Sequence, residues 1–525
     1  MIQSTSQPIQ PVERAGLVLG LVLAGVLMWF VRGYITDDTF IHLQYARNLA
    51  TGHGLVFNVG ERVYGCTSPL WVTLLADAML LRIDGLWFSK MAGYAATLAS
   101  VGLFLQLMRR TVTNPVVRAA ATVAWASHAW MIRWAMSGME TPLAVALTLA
   151  GFVAFTEGRQ WGSRPVRTGT LWSLAALTRP EAGLLLLFWG SFLLIDTDTR
   201  ESLRRFVAGV LPPTLIYGAW LVFARFYFGT FWPQTLAAKA AGSGDPQFVL
   251  DNLGRTLKLI AATDGAYLVI LALGLVFAFK LVFAARPANA QRFLPWCWVI
   301  GLPMLYNLRG VPVLSRYALP ILPVLAWLAW RVVDRWWVGD AEASSARRRT
   351  GQVLACALAL GVTVQNLVVY REKVVPQVQS FSPALRTSLI RWGRWFGAYT
   401  PPGTVIAAPD IGALGYYSQR RVIDLAGLVT PEMIPALVRA PMEDAVASFA
   451  FAAFSRPDYL MDRDPEAYGL LRRSPYARAL TPLGVAAIPN LGIARPTPAV
   501  YSVYRIDWAV FDSLRAARVA REEVQ

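Results

Sequence analysis

The sequence predicts a polytopic α-helical membrane protein that ends in a small α/β domain, and three observations lead there. Of 525 residues, 55% are hydrophobic and only 15% charged, with a mean hydropathy of +0.44; that balance lies well outside the range of ordinary globular chains. The net charge of +17 comes from Lys and Arg spread among short loops between apolar runs. Basicity so distributed sets membrane topology and speaks against a nucleic-acid partner. Beyond Tyr370 the apolar spans stop, and Pro, charges and short β-rich runs take over.

The run from Ala15 to Tyr34 is long enough to span and lacks a convincing small-residue cleavage site, so it reads as a retained anchor. Basic clusters at Arg109, Arg110 and Arg118, at Arg159, Arg164 and Arg167, at Arg200, Arg204 and Arg205, at Arg286 and Arg292, and at Arg347, Arg348 and Arg349 are expected in the cytoplasm. The spans between them are Val116 to Met136, Leu143 to Thr156, the hairpin Thr168 to Ile195, Phe206 to Phe228, Ala266 to Ala284, Phe293 to Leu308, Ala318 to Val333 and Gln352 to Tyr370. An N-terminus inside places every cluster inside. Pro69 to Met108 holds two apolar segments but must make one net crossing, so the shorter, Pro69 to Leu81, is expected to lie shallow or re-entrant. About eleven crossings follow from segments of this length. Cys66, Cys297 and Cys356 are far apart and support neither a disulfide framework nor a zinc site.

Polar residues that fall on the outer side carry the chemistry. Thr36-Asp37-Asp38-Thr39 opens a loop that closes at Ser68-Pro69-Leu70-Trp71, and two adjacent carboxylates raise each other's cost of ionisation. Capping of a helix would account for one of them. Phe40 to Ala50 has helical apolar spacing and reads as a helix on the membrane surface. Further outer places are Ser137-Gly138-Met139-Glu140, the stretch Phe228 to Gly265, and Pro312 to Tyr317. Thr178-Arg179-Pro180-Glu181 interrupts a hairpin at membrane depth, where an Arg and a Glu either face a polar cavity or neutralise each other at a Pro-broken turn.

In the C-terminal part, Thr404 to Ala408, Arg421 to Leu425 and Asp458 to Met461 read as strands, and Pro383 to Phe396 and Met442 to Phe454 as helices. The expected division is a membrane domain, 1–370, with an outer loop at 33–70, and an extracytoplasmic α/β domain, 371–525. The glycines of Asp410-Ile411-Gly412-Ala413-Leu414-Gly415 lack the spacing of a nucleotide-binding loop.

Several of these motifs together resemble a known group. Asp37-Asp38-x-x-Ile41 with Tyr45-Ala46-Arg47-Asn48-Leu49, Gly52-x-Gly54-Leu55-Val56-Phe57-Asn58-x-Gly60-Glu61 and Thr67-Ser68-Pro69-Leu70-Trp71 resemble the first outer loop of GT-C membrane glycosyltransferases, in the subgroup of the mycobacterial terminal arabinofuranosyltransferase. Leu177 to Glu181, Trp232-Pro233-Gln234-Thr235 with Lys239, Ser315 to Pro320 and Asp410 to Tyr417 extend the resemblance over nearly the whole chain. Pro233-Gln234-Thr235 stands where relatives tend to carry Pro-Asn-Thr, and Ala238 where an aromatic is expected.

The resemblance implies a bacterial plasma-membrane enzyme that moves a hexosyl or pentosyl group from a polyprenyl-phosphate donor to an extracytoplasmic hydroxyl. Such a transfer needs a carboxylate base and cations for the leaving phosphate. Asp37 is the expected base, and Asp38 either positions it or holds a divalent ion such as Mg or Mn, which hard oxygen ligands suit. Glu140 is a further catalytic candidate or an ordinary helix cap. Arg179, Lys239, Arg316 and Tyr317 are candidates for the donor phosphate. His42, Tyr45, Arg47, Arg62 and Glu181 are pocket candidates, with snorkelling toward headgroups an equal reading of the arginines. A secondary transporter is the first alternative, but the chain shows no inverted repeat. A non-catalytic envelope assembly factor on the same scaffold is the second, and the intact Asp37, Asp38, Arg179 and Arg316 argue against it.

Overall fold

The computed structural model describes residues 8–158, 161–195, 199–234, 246–283, 291–339, 344–493 and 497–522. Among them, five helices are long and apolar enough to cross a membrane: Pro11–Phe30, Gly85–Thr111, Leu203–Phe228, Pro246–Val276 and the continuous helical run Ser345–Tyr399. Their exposed residues include Trp29, Phe30, Val222, Phe226 and Leu360, a distribution that suits hydrocarbon as solvent. Shorter apolar helices lie at Pro69–Leu80, Thr141–Phe155 and Pro180–Ile195. The 12 residues of Pro69–Leu80 rise only about 18 Å, and the helix packs against Asp37–Ala50 and Gly85–Thr111.

The expected hairpin is built from Pro165–Thr178 and Gly183–Ile195, with a single 3-10 turn, Pro180–Ala182, between them. Pro180 explains the break, because the residue before a proline is pushed out of the helical region. Arg179 has φ −147° and ψ 114°.

Ion pairs mark one end of the bundle. Glu13 meets Arg118 at 2.8 Å and Arg109 at 3.5 Å, Glu157 meets Arg167 at 2.9 Å and Arg110 at 3.7 Å, and Asp334 accepts the Thr113 amide at 2.7 Å. Arg347 donates to the Trp336 carbonyl beside it. These basic residues of separate clusters therefore share one end. Arg118 differs from the topological reading in one respect: it is buried and satisfied by Glu13 and by the carbonyls of Val112 and Thr113. Its charge holds helices together. Arg159 and Arg286 lie outside the described residues.

The C-terminal domain grows from the opposite end. The helical run does not break at the expected boundary, Tyr370; π-turns at Tyr370–Val374 and Arg386–Ile390 carry it on to Tyr399. A five-stranded sheet follows, with β1 Val405–Ala408, β2 Arg421–Asp424, β3 Tyr459–Asp464, β4 Leu480–Ile488 and β5 Ala499–Ile506, in the order β2-β1-β3-β5-β4. β1 pairs parallel with β2 and β3, while β5 pairs antiparallel with β3 and β4. One face of the sheet packs into the membrane part: Ile406, Ala408, Val422, Met461 and Tyr501 share a core with Phe40, Tyr45 and Phe57. The other face, with Ala407, Ile423, Leu460 and Tyr504, has its own cluster around Phe449, Phe451 and Phe511. The helix Asp37–Ala50 is thereby clamped between the bundle and the sheet domain, against the short helix Gly412–Ser418.

Candidate functional site

Asp37 and Asp38 start one helix but point to different partners. The Asp37 carboxylate accepts the amides of Gly412 at 2.9 Å and Ala413 at 2.8 Å, so it caps a helix of the C-terminal domain instead of its own. Position 412 requires glycine, since a Cβ there would stand 2.0 Å from the Asp37 carbonyl oxygen. Two amide contacts leave half of a carboxylate's acceptor capacity for a further partner. Burial and the nearby Asp410 push Asp37 up to about 7, against the pull of the two amides. Asp410 is itself held by Arg463 and by the Tyr501 hydroxyl, both at 2.7 Å.

Asp38 turns the other way and pairs with Arg316 at 2.6 Å. Arg316 also donates to the Tyr317 hydroxyl, and its guanidinium lies over the Tyr317 ring at 5.2 Å. Arg179 lies over the same ring at 5.2 Å, and Tyr306 stacks on it at 5.0 Å. Two arginines 137 residues apart in the chain (316 minus 179) thus share one aromatic plate. Arg179 is anchored by Glu140 at 2.8 Å, by Glu181 at 2.6 Å and by Tyr306 at 3.3 Å, and Tyr306 donates a short bond to Glu181. His42 Nδ1 is 3.9 Å from Glu140 Oε2, and neither atom has a hydrogen-bond partner among the described residues. Burial pulls His42 below its ordinary value despite Glu140 and Asp38 nearby, which favours the neutral ring.

The fold therefore brings together Asp37, Asp38, His42, Glu140, Arg179, Glu181, Arg316 and Tyr317. It sends three other candidates elsewhere. Tyr45 donates to the Val63 carbonyl and packs on Phe57. Arg47 donates to the Tyr416 carbonyl and lies over that ring, binding the loop helix to the sheet domain. Arg62 is exposed over Tyr227. Lys239 lies outside the described residues. Among the described residues no three His, Cys, Asp or Glu side chains converge as metal ligands, and Asp38 faces a guanidinium. This donor set does not fit the Mg or Mn considered for Asp38.

Sequence reasoning missed Arg133, Trp134 and Tyr306, which line the same cluster. An arginine inside the apolar helix Ala129–Ala135 was the available signal.

Comparisons with known proteins fix the fold. The structure of ArnT from Cupriavidus metallidurans bound to undecaprenyl phosphate is similar over 93% of this chain and 97% of that one, with a TM-score of 0.53 and 14% identity. The mycobacterial arabinofuranosyltransferase AftD matches over 96% of this chain and 40% of that one, with a TM-score of 0.53 and 18% identity. The chain has the GT-C fold. The oligosaccharyltransferase of Archaeoglobus fulgidus, with a TM-score of 0.57 and 12% identity over 86% of this chain and 69% of that one, shares this GT-C fold as well. In sequence, the chain is similar to the terminal beta-(1->2)-arabinofuranosyltransferases of Corynebacterium glutamicum, 30% identical over 42% of this chain and 36% of that protein, and of Mycobacterium tuberculosis, 29% identical over 44% and 39%. The chain spans well under half the length of these two relatives. Residues 377–504 match a family described as a domain of unknown function, DUF8728, which begins on the helix feeding the sheet domain and ends on β5.

Proposed function

We propose that this protein is a membrane glycosyltransferase that takes a pentosyl group from a polyprenyl-phosphate donor and passes it to a hydroxyl of an extracytoplasmic envelope glycan. The observation that carries the reading is the convergence of Arg179 and Arg316 on Tyr317, with Asp38 on Arg316 and Asp37 one residue away under the sheet domain. The identity to two arabinofuranosyltransferases supports a pentose.

In this mechanism the acceptor hydroxyl gives its proton to Asp37, whose raised affinity for protons matches a base working near neutrality. The hydroxyl oxygen bonds to the anomeric carbon as the bond from that carbon to the phosphate oxygen breaks. The charge gathering on the leaving phosphate is met by the guanidiniums of Arg316 and Arg179, which both lie over the Tyr317 ring. Asp38 orients Arg316, and Glu140 and Glu181 orient Arg179. The amides of Gly412 and Ala413 hold the base still, giving the sheet domain a part in aligning the acceptor.

Purified protein in liposomes, given synthetic polyprenyl-phosphoryl arabinofuranose and an arabinan oligosaccharide, is expected to lengthen the oligosaccharide and release polyprenyl phosphate. Release of polyprenyl phosphate with free arabinose as the only sugar product and no lengthened oligosaccharide, or no turnover of any polyprenyl-phosphate pentose, would remove the reading.

The reading also places the C-terminal domain outside the cytoplasm, with the N-terminus inside. Ser345 at the start of one helix and Ser513 in the last helix are both exposed. In a background without Cys297 and Cys356, a cysteine at Ser513 is expected to react with an impermeant thiol reagent in intact cells, and one at Ser345 only after lysis. The reverse pattern would invert the topology.

A further inference from the structure

We propose that Arg133 is a fixed anion-binding residue of this site and holds an oxygen of the phosphate that leaves, an assignment that rests on the lipid-phosphate reading above. Arg179, Tyr317, Arg316, Trp134, Arg133 and Tyr34 form a row in which cations alternate with aromatic rings. Arg316 lies over Trp134 at 5.6 Å, and Arg133 lies over the same ring at 4.8 Å and over Tyr34 at 5.6 Å. Ser315, the neighbour of Arg316, accepts from Arg133 Nη1 at 3.3 Å and from the Trp134 indole at 2.9 Å.

The three arginines differ in how their charge is met. Arg179 has two carboxylates and Arg316 has one. Arg133 is 7% exposed, and its hydrogen bonds go to neutral oxygens, the hydroxyls of Ser315 and Tyr34. Among the described residues its buried Nε has no hydrogen-bond partner and no carboxylate pairs with it.

A guanidinium cannot escape this by losing its proton, so the uncompensated charge is a standing cost in the free protein. Contacts with two ring faces and two hydroxyls recover part of that cost. An arriving anion recovers the rest, because a buried cation already stripped of water loses little more on binding it. A phosphate also suits the planar fork of an arginine better than it would a lysine. Arg316 and Arg133, both within 5.6 Å of the Trp134 ring centre, are placed to hold different oxygens of the same anion.

The test uses the full-length protein in detergent, titrated with a polyprenyl monophosphate, the matching neutral polyprenol, phosphatidylglycerol and inorganic phosphate, with binding read by native mass spectrometry and by the ligand-induced rise in thermal midpoint. The wild-type protein is expected to prefer the polyprenyl monophosphate over the other three. Arg133→Met, which keeps the packing of the stem, is expected to match or exceed the wild-type midpoint without ligand. Its affinity for the monophosphate should fall by about tenfold to a hundredfold, and Arg133→Lys should fall between. Unchanged affinity in Arg133→Met would overturn the assignment and leave the lipid-phosphate reading standing. A wild-type protein blind to the monophosphate would remove both. Lost binding accompanied by an equal loss of ligand-free stability, with no recovery in Arg133→Lys, would make Arg133 a packing residue and overturn the assignment as well.

Discussion

Replacing Asp37 with Asn is expected to lower turnover by roughly a hundredfold or more, the usual cost of losing a positioned general base, while polyprenyl-phosphate binding stays near wild type. The wild-type rate should also carry an acid limb with a midpoint near 7, the value to which burial and Asp410 push this carboxyl. The base must be ionised, so activity is present above that pH and lost as pH falls through it. The variant's residual activity should lack that limb. The same raised value bears on stability in the opposite sense: between about 4, the ordinary carboxyl value, and about 7 the folded protein holds a proton the unfolded chain has lost. Asp37's contribution to stability therefore falls as pH rises across that window, and is constant above it. Substitution by Asn also turns an NH2 group toward one of the amides of Gly412 and Ala413 and weakens the seat of the sheet domain. Asp38→Asn separates the roles, since it should loosen Arg316 and leave the acid limb in place. A wild-type rate in Asp37→Asn with a dead Asp38→Asn would move the base to Asp38.

The membrane part was legible because apolar runs, Pro breaks and basic loops are local signals. The turn at Arg179-Pro180-Glu181 follows from proline sterics alone, the first two strands from short runs with β-branched Val and Ile, and the third from the short apolar run Tyr459-Leu460-Met461. β4 was not legible: it is an edge strand interrupted by Pro482, with a register shift before Gly484 and a mostly exposed face, so it lacks a buried alternation to read. The site was legible residue by residue but not in its pairing. That Asp37 reaches the amides of Gly412 and Ala413, 375 and 376 residues away, depends on how the sheet domain docks. Arg47 shows the converse, a charged residue on the same helix as the carboxylates that serves the same docking contact. Arg133 was hidden because its partners are hydroxyls and rings supplied by three separate segments.

Arg179→Ala and Arg316→Ala are expected to fail in different ways. Both should cut turnover by at least about tenfold to a hundredfold if each donates a charge-assisted contact to the leaving phosphate. Only Arg179→Ala should unsettle the free protein. Its carboxylate partners, Glu140 and Glu181, are 4% and 13% exposed, and leaving them without a cation costs on the order of 3–5 kcal/mol by analogy with broken buried pairs. The partner of Arg316 is Asp38, 42% exposed, which water can solvate once the arginine is gone, so the stability loss there should stay within about 1 kcal/mol. Thermal midpoints without ligand, set beside polyprenyl-phosphate affinity, read the two effects separately. Adding Glu140→Gln and Glu181→Gln to Arg179→Ala removes the stranded charges and is expected to restore most of the midpoint without restoring turnover. If the triple variant regained activity, Arg179 would be a structural counter-ion for the two glutamates and Arg316 would stand alone at the phosphate. If Arg179→Ala were as stable as wild type, the glutamates would have to be protonated or solvated in the free protein, and the charge network around Tyr306 and Tyr317 would be wrong.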